Sequence, residues 1–394
     1  MNGLRVGFFK LAAGLFIFSH PPAYAQVYDE PRINAAAQAF MERANAPGLA
    51  IGVVTPAGRQ LLFYGVASRE TGTKVNDRTI FEIGSVSKTF TAILAAYAAE
   101  TGALRWEDAA SRHVPEISGT HLDHVSLLDL ATHTTGGFPQ TLPRDVRTND
   151  DMVAYFRNWV PASPTGTTRS YANPSIGLLG LATARALKGR FSRLVRDKIS
   201  SPLGLTHTFH DVPQEEVQNY AQGYSRDGQP VPRMPALEDF PLAAEAFGVR
   251  STAGDLLRFV EANLGLVNTD PTLRRALATA TTGRFQAGPM KQALIWEWYP
   301  LPVSSQAFRT GNGTVMIREA TPVTRLDPPQ PAPDAALVTK QGATPGFGAY
   351  IAFIPGRQVG LALLTNRGDP HIDLLILAEQ VFAILGAPGV ADQP

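Results

Sequence analysis

The 394-residue chain contains no cysteine, so disulfides, thiol nucleophiles and thiolate-ligated metal sites are excluded. It also lacks a dominant charge: 35 Lys and Arg stand against 34 Asp and Glu. That balance excludes the basic footprint of a nucleic-acid binder. Long hydrophobic runs are missing as well. The apolar stretch at residues 11–18 falls far short of the roughly 20 residues that a membrane span requires. No internal repeat or low-complexity array is visible. What remains is an ordinary globular composition, 44% hydrophobic and 18% charged, in a chain long enough to bury a sizeable core.

The first residues read as a targeting segment. "MNGLRVGFFKLAAGLFIFSHPPAYAQ" has a basic start at Arg5 and Lys10, an apolar centre and an Ala23-Tyr24-Ala25 cleavage pattern. The expectation is a secretory signal peptide over residues 1–25, a mature chain starting at Gln26, and export to the periplasm. Residues 1–25 hold two basic and no acidic residues, so the mature balance is 33 basic against 34 acidic. A monomer with no stable membrane association after cleavage is expected.

Periodicity then organises the chain. Residues 31–46 have helical spacing and stop at Pro47-Gly48. "LAIGVVTPAGRQLLFYGVASR" reads as a hairpin around Pro56-Ala57-Gly58. A helix is expected over 85–101, ending at Gly102. From about 105 to 290 helical patterns dominate, including "NPSIGLLGLATARAL" and "TAGDLLRFVEANLG". Residues 318–336, with "PPQPAP", read as a proline-rich surface excursion or linker. "ALVTKQG", "FGAYIAFIP" and "VGLALLTNR" return to strand patterns, and "IDLLILAEQVFAIL" closes as a helix. The fold class expected is α/β (α+β). One antiparallel sheet is built from both chain ends and flanked by the terminal helices, with a mostly helical lobe inserted. Residues 26–394 would form one catalytic domain. Its sheet lobe would cover about 26–80 and 290–394, its helical lobe about 81–289.

Three short segments carry the chemistry. In "FEIGSVSKTF", Ser85 precedes Lys88 by three residues at a helix start, which places both on one face. A serine hydroxyl needs a neighbour to take its proton and donors to hold the oxyanion formed on attack. A desolvated lysine near other cations has a lowered pKa and suits that relay. Alone, S-x-x-K is weak, since roughly one copy arises by chance in a chain this long. "RSYANPS" sets Tyr171 two residues before Asn173, ahead of an apolar helix that Asn173 or Ser175 could also cap. "LVTKQGATPGFGAY" sets Lys340 and Gly342 at a strand end, where glycine lets backbone approach a ligand.

Together Ser85-Val86-Ser87-Lys88, Tyr171-Ala172-Asn173 and Lys340-Gln341-Gly342 resemble the serine β-lactamase and penicillin-binding-protein superfamily. The Y-A-N element and the order of the parts look most like class C β-lactamases. "LLDLATHTTGGFP", "AFGVRSTAGDLLRFVEANL" and "QALIWEW" extend the likeness over almost the whole mature chain. The resemblance implies opening of a β-lactam ring through an acyl-enzyme at Ser85, without cofactor or metal. It implies Lys88 as proton relay, Tyr171 as general base, and Lys340 as positive potential beside Tyr171 and the substrate carboxylate. The amides of Ser85 and Ala343 would form the oxyanion hole. Asn173 would bind the amide of the substrate side chain. The alternative is a same-fold esterase or D-amino-acid peptidase.

The departures concern the rim. Gln341 stands where the family has threonine in K-T-G. After "GGFP" the usual glutamine position holds Thr141, with Gln140 one residue early. His371 and Leu374 stand where asparagine and arginine serve the substrate carboxylate. Gln140, Gln341, Gly342 and His371 are therefore candidate substrate contacts on changed terms. His121 and His124 form a close histidine pair, expected on a solvated loop, and His133 is expected to be packed or hydrogen-bonded without a catalytic role.

Overall fold

The computed structural model describes residues 29–235, 237, 240–387, 389 and 390; the predicted signal segment lies outside the described residues. Asp29 opens α1 (Glu30–Ala44) by accepting the Arg32 N–H, and Asn45 ends it in a left-handed conformation. The hairpin follows as β1 (Gly48–Thr55) and β2 (Gly58–Gly65). The central part holds α2 (Ser87–Glu100), α3 (Leu127–Thr132), the two-residue β3 (Thr168–Arg169), α4 (Asn173–Ala186), α5 (Ala243–Ala246) and α6 (Ala253–Asn263). Strands then dominate: β4 (Gly283–Ala287), β5 (Met290–Gln292), β6 (Glu297–Pro300), β7 (Thr321–Gln330), β8 (Ala336–Thr344), β9 (Phe347–Ile354) and β10 (Val359–Thr365). Helix α7 (His371–Ile384) ends the series.

Ten strands form one sheet in the order β2-β1-β10-β9-β8-β6-β5-β4-β7-β3, with antiparallel pairing throughout. The N-terminal hairpin docks on β10, the last strand of the chain, with Ile51 opposite Leu363. This joins the two chain ends into one sheet, as the strand patterns predict. Its two faces are sorted by the period-2 alternation of side chains. Leu49, Ile51, Val53, Tyr350, Ala352, Leu361 and Leu363 pack under α1 and α7. Ala50, Val54, Ile351, Phe353, Ala362 and Leu364 face the helical lobe, where α6 lies across β1 and β10. Central strands β9 and β10 are buried along their whole length, which explains their unbroken apolar sequence.

The proline-rich stretch corrects one expectation. Its middle, 321–330, is a strand, β7, and not a linker, while the stretch does run over the surface as expected. It pairs with β4 at Val323–Arg325 and again at Gln330, with the register shifting between. Its prolines are tolerated because β7 lies near the sheet edge, flanked outside only by the short β3, and its residues stay largely exposed. Among the described residues no helix is long and apolar enough to cross a membrane.

Candidate active site

Ser85 lies in a 3-10 turn, Gly84–Val86, and the α-helix proper starts at Ser87. The turn presses against β8. A Cβ on Gly84 would sit 2.5 Å from the Ala343 carbonyl, and one on Gly342 would sit 2.1 Å from the Ile83 carbonyl and 2.8 Å from the Ser85 nitrogen. Gly84 also has φ +50. No larger residue fits either place, so two glycines bring the serine turn and the strand edge into backbone contact.

Lys88 points back under Ser85. Its Nζ donates to Ser85 Oγ at 2.9 Å and to the Ala246 carbonyl at the end of α5 at 2.7 Å. The side chain is wholly buried. Burial, with Lys340 nearby, pulls its pKa from 10.5 to about 8, against the opposing pull of Tyr171.

Tyr171 occupies the irregular segment between β3 and α4. Its ring has Lys340 Nζ at 5.2 Å, Lys88 Nζ at 5.3 Å and the Arg169 guanidinium carbon at 5.5 Å. Burial opposes ionisation of the phenol. Lys340, Lys88 and a hydrogen bond with Ser85 outweigh it, and the pKa falls below its ordinary value of 10.0. A phenol with its ionisation so favoured is better placed to accept a proton from the serine.

Behind Tyr171 lies a buried charge network that motif reasoning misses. Arg169 donates to Glu297 Oε1 at 2.8 Å, to Gln292 Oε1 at 2.5 Å and to the Met316 carbonyl at 2.6 Å. Lys340 Nζ lies 3.9 Å from the same Glu297 oxygen, while Glu297 Oε2 has no partner among the described residues. The signal was present in "RSYAN" and "IWEW": a charge inside an apolar strand pattern must be paired when the strand is buried.

Gln341 Nε2 donates to the Asn312 carbonyl at 2.8 Å, so its oxygen is left to accept from His371 Nδ1 at 3.1 Å. His371 Nε2 lies 3.2 Å from Asp369. Burial, with Lys340 nearby, lowers the His371 pKa against the pull of Asp369. Leu374 is buried against Gly348 in the core under α7 and does not reach the cavity.

Ser85, Gln140, Tyr171, Lys340, Gln341, Gly342, Ala343 and His371 line one cavity of ≈150 Å³, joined by Arg169 and Glu297. Asn173 and Thr141 line the adjoining cavity of ≈620 Å³, walled by Leu142, Val146, Phe240 and Phe247. Asn173 does not cap its helix: it is the first helical residue, its N–H bonded to the Gln140 carbonyl at 2.9 Å. Ser175 turns its hydroxyl to the Leu130 carbonyl instead. His121 and His124 are exposed on a single 3-10 turn. Among the described residues no group of three or more His, Asp or Glu is placed to hold a metal ion.

The fold has known counterparts. The Beta-lactamase family model matches residues 33–385. A beta-lactamase of Lysobacter lactamgenus is 41% identical over 93% of this chain and 94% of its own length. A D-alanine carboxypeptidase of Burkholderia cenocepacia superposes with TM-score 0.85 at 39% identity, over 90% of this chain and 98% of that one. A class C beta-lactamase solved in complex with cefoxitin superposes with TM-score 0.86 at 34% identity, over 91% and 99%. Near-complete coverage in both directions, on a sheet and a serine-lysine-tyrosine cavity of this geometry, places the chain in the beta-lactamase family, among the class C serine β-lactamases.

Proposed function

We propose that the protein is exported and hydrolyses β-lactams through an acyl-enzyme at Ser85. The observation that carries this reading is the convergence of Ser85 Oγ, Lys88 Nζ and the Tyr171 phenol, with Lys340 Nζ also within 5.2 Å of the ring centre. Ser85 Oγ attacks the ring carbonyl, and the C–N bond opens. The serine proton passes through Tyr171 and Lys88 to the departing nitrogen. Water then attacks the ester, ionised Tyr171 takes its proton, and Ser85 recovers its own as the acid product leaves. The amides of Ser85 and Ala343 hold the oxyanion in both halves. Asn173, at the mouth of the larger cavity, binds the side-chain amide of the substrate. Lys340, Gln341 and His371, with Gln140 across the cleft, receive the carboxylate end. The N-terminal segment supports a periplasmic location for the enzyme, which acts as a monomer.

The test pairs a chromogenic cephalosporin with intact-mass spectrometry. The expected result is colour development with a transient adduct on Ser85. Hydrolysis of a D-alanyl-D-alanine peptide or a short ester, with the cephalosporin left unopened, would replace this reading with the peptidase or esterase one.

A further inference from the structure

Tyr171 lies on a segment with no helix or strand of its own to hold it, yet its place between two lysines must be fixed. One residue outside that segment grips it on both sides. His133 follows α3 in a left-handed conformation, φ 61 and ψ 28, which turns its backbone and its side chain toward the same strand of chain. Its carbonyl accepts the Ser170 N–H at 2.9 Å. Its Nδ1 accepts the Ala172 N–H at 3.2 Å. Its ring packs on the Tyr171 ring with centroids 4.6 Å apart. The amides just before and just after Tyr171 are thus both held by His133.

The tautomer follows from the donors. A backbone N–H only donates, so Nδ1 carries a lone pair and the ring proton is on Nε2. Nε2 finds no acceptor among the described residues. The ring is 1% exposed, and a second ring proton is resisted by burial and by Arg169 on β3, Lys88 on α2 and Lys340 on β8. The clamp is therefore neutral while its neighbours are cationic.

We infer that His133 is a positioning residue of the reaction: its neutral imidazole and its carbonyl clamp the two amides flanking Tyr171 and so hold the phenol between Lys88 and Lys340. The inference rests on Tyr171 being the base. His133→Leu and His133→Phe remove the acceptor, and Phe keeps a ring against Tyr171. His133→Asn keeps an acceptor near Nδ1. In the two acceptor-free variants kcat is expected to fall, by up to about 100-fold for a displacement near 1 Å, with KM nearly unchanged. The acid limb of kcat/KM should move to higher pH, because a phenol drawn away from the lysines ionises less readily. His133→Asn should restore most of kcat and return the acid limb. Acceptor-free variants that lose thermal stability yet keep the wild-type limb and kcat would overturn the inference and leave His133 a packing residue. Should neither acceptor-free variant fold, His133→Asn decides: a shifted limb or a tenfold fall in kcat counts against the clamp, and wild-type values support it. Tyr171→Phe is run alongside. If it keeps full activity, the base assignment has failed, and the clamp is then judged on crystal structures of the variants.

Discussion

The two halves of the cavity contrast in how their polar groups are satisfied. On the Ser85 side, two lysines crowd one phenol. Lys88 is buried with a depressed pKa, and Glu297 keeps an unpartnered oxygen. On the Gln341 side, the Gln341 amide bridges the Asn312 carbonyl and His371 Nδ1, and His371 faces Asp369. The first half sets two lysines against one phenol, positive charge that favours negative charge developing in the reaction. In the second half both ends of the Gln341 amide are already bonded, so a ligand there competes with bonds already made. The difference separates residues that do chemistry from residues that tune it.

The sharpest way to break the contrast is to remove its nucleophile. Ser85→Ala should lower turnover by several orders of magnitude, as loss of a nucleophile does in other covalent mechanisms. Stopped assays at high enzyme concentration check this. Retention of more than about a tenth of the rate would mean another group attacks.

Lys88→Met tests whether the strained half is strained at the expense of stability. Activity should fall by a factor of about 100 or more, since the relay is lost. Stability at neutral pH should rise. The depressed pKa of Lys88, about 8 against 10.5, corresponds to about 3 kcal/mol disfavouring the buried ammonium. Two lost hydrogen bonds, near 1 kcal/mol each, offset part of it. The sign can be followed with pH. The unfolded chain holds this proton more tightly than the fold does, so the wild type gains stability as pH rises through the window from about 8 to 10.5. The advantage of the variant should therefore shrink across that window in thermal melts, and a constant or growing advantage would contradict the assignment.

The same contrast explains what was legible in the sequence. The site residues sit in short-range patterns: Ser85 and Lys88 are one helical turn apart, and Tyr171 lies two residues before Asn173 at the start of α4, so the three segments read together from the sequence. The sheet was legible because alternation and apolar runs report burial on one or both faces. Arg169 and Glu297 are legible only as charges in need of a partner, and the Ala246 carbonyl not at all, since which groups pair arises only when β3, β6 and α5 meet around Tyr171. The β7 strand was misread because its prolines signal a linker unless the edge position is known. Leu374 shows the reverse case: a position compared with a binding arginine belongs to the core.

Glu297→Gln probes the charge network without removing its shape. Arg169 would keep an acceptor but lose its counter-charge, and breaking a buried pair costs about 3–5 kcal/mol in comparable cases. The amide retains part of this, so a drop in melting temperature of several degrees is expected. Glu297 raises the pKa of Tyr171. Without that charge the phenol ionises more readily, and the acid limb of kcat/KM should move to lower pH. The shift is opposite to the one expected for the acceptor-free His133 variants, so the two experiments check each other.

The smallest effect is expected at Gln341→Thr, which breaks the Gln341 bridge of the second half. Threonine is too short to reach the Asn312 carbonyl and His371 together, so both would lose a partner made at 2.8 and 3.1 Å. Gln341 is only 7% exposed, and the freed space lies beside Lys340 on the same strand. A substrate carboxylate would then meet a hydroxyl, a released His371 and Lys340 without displacing an existing bond. KM for cephalosporins should fall by a few-fold, the scale of one neutral hydrogen bond near 1 kcal/mol, while kcat stays within about twofold because Tyr171 and Lys88 are untouched. Steady-state kinetics on a substrate with and without its carboxylate esterified distinguishes the causes. A gain confined to the free acid means that Gln341 holds the rim closed against the carboxylate, and an equal gain on both means that Gln341 only narrows the cavity.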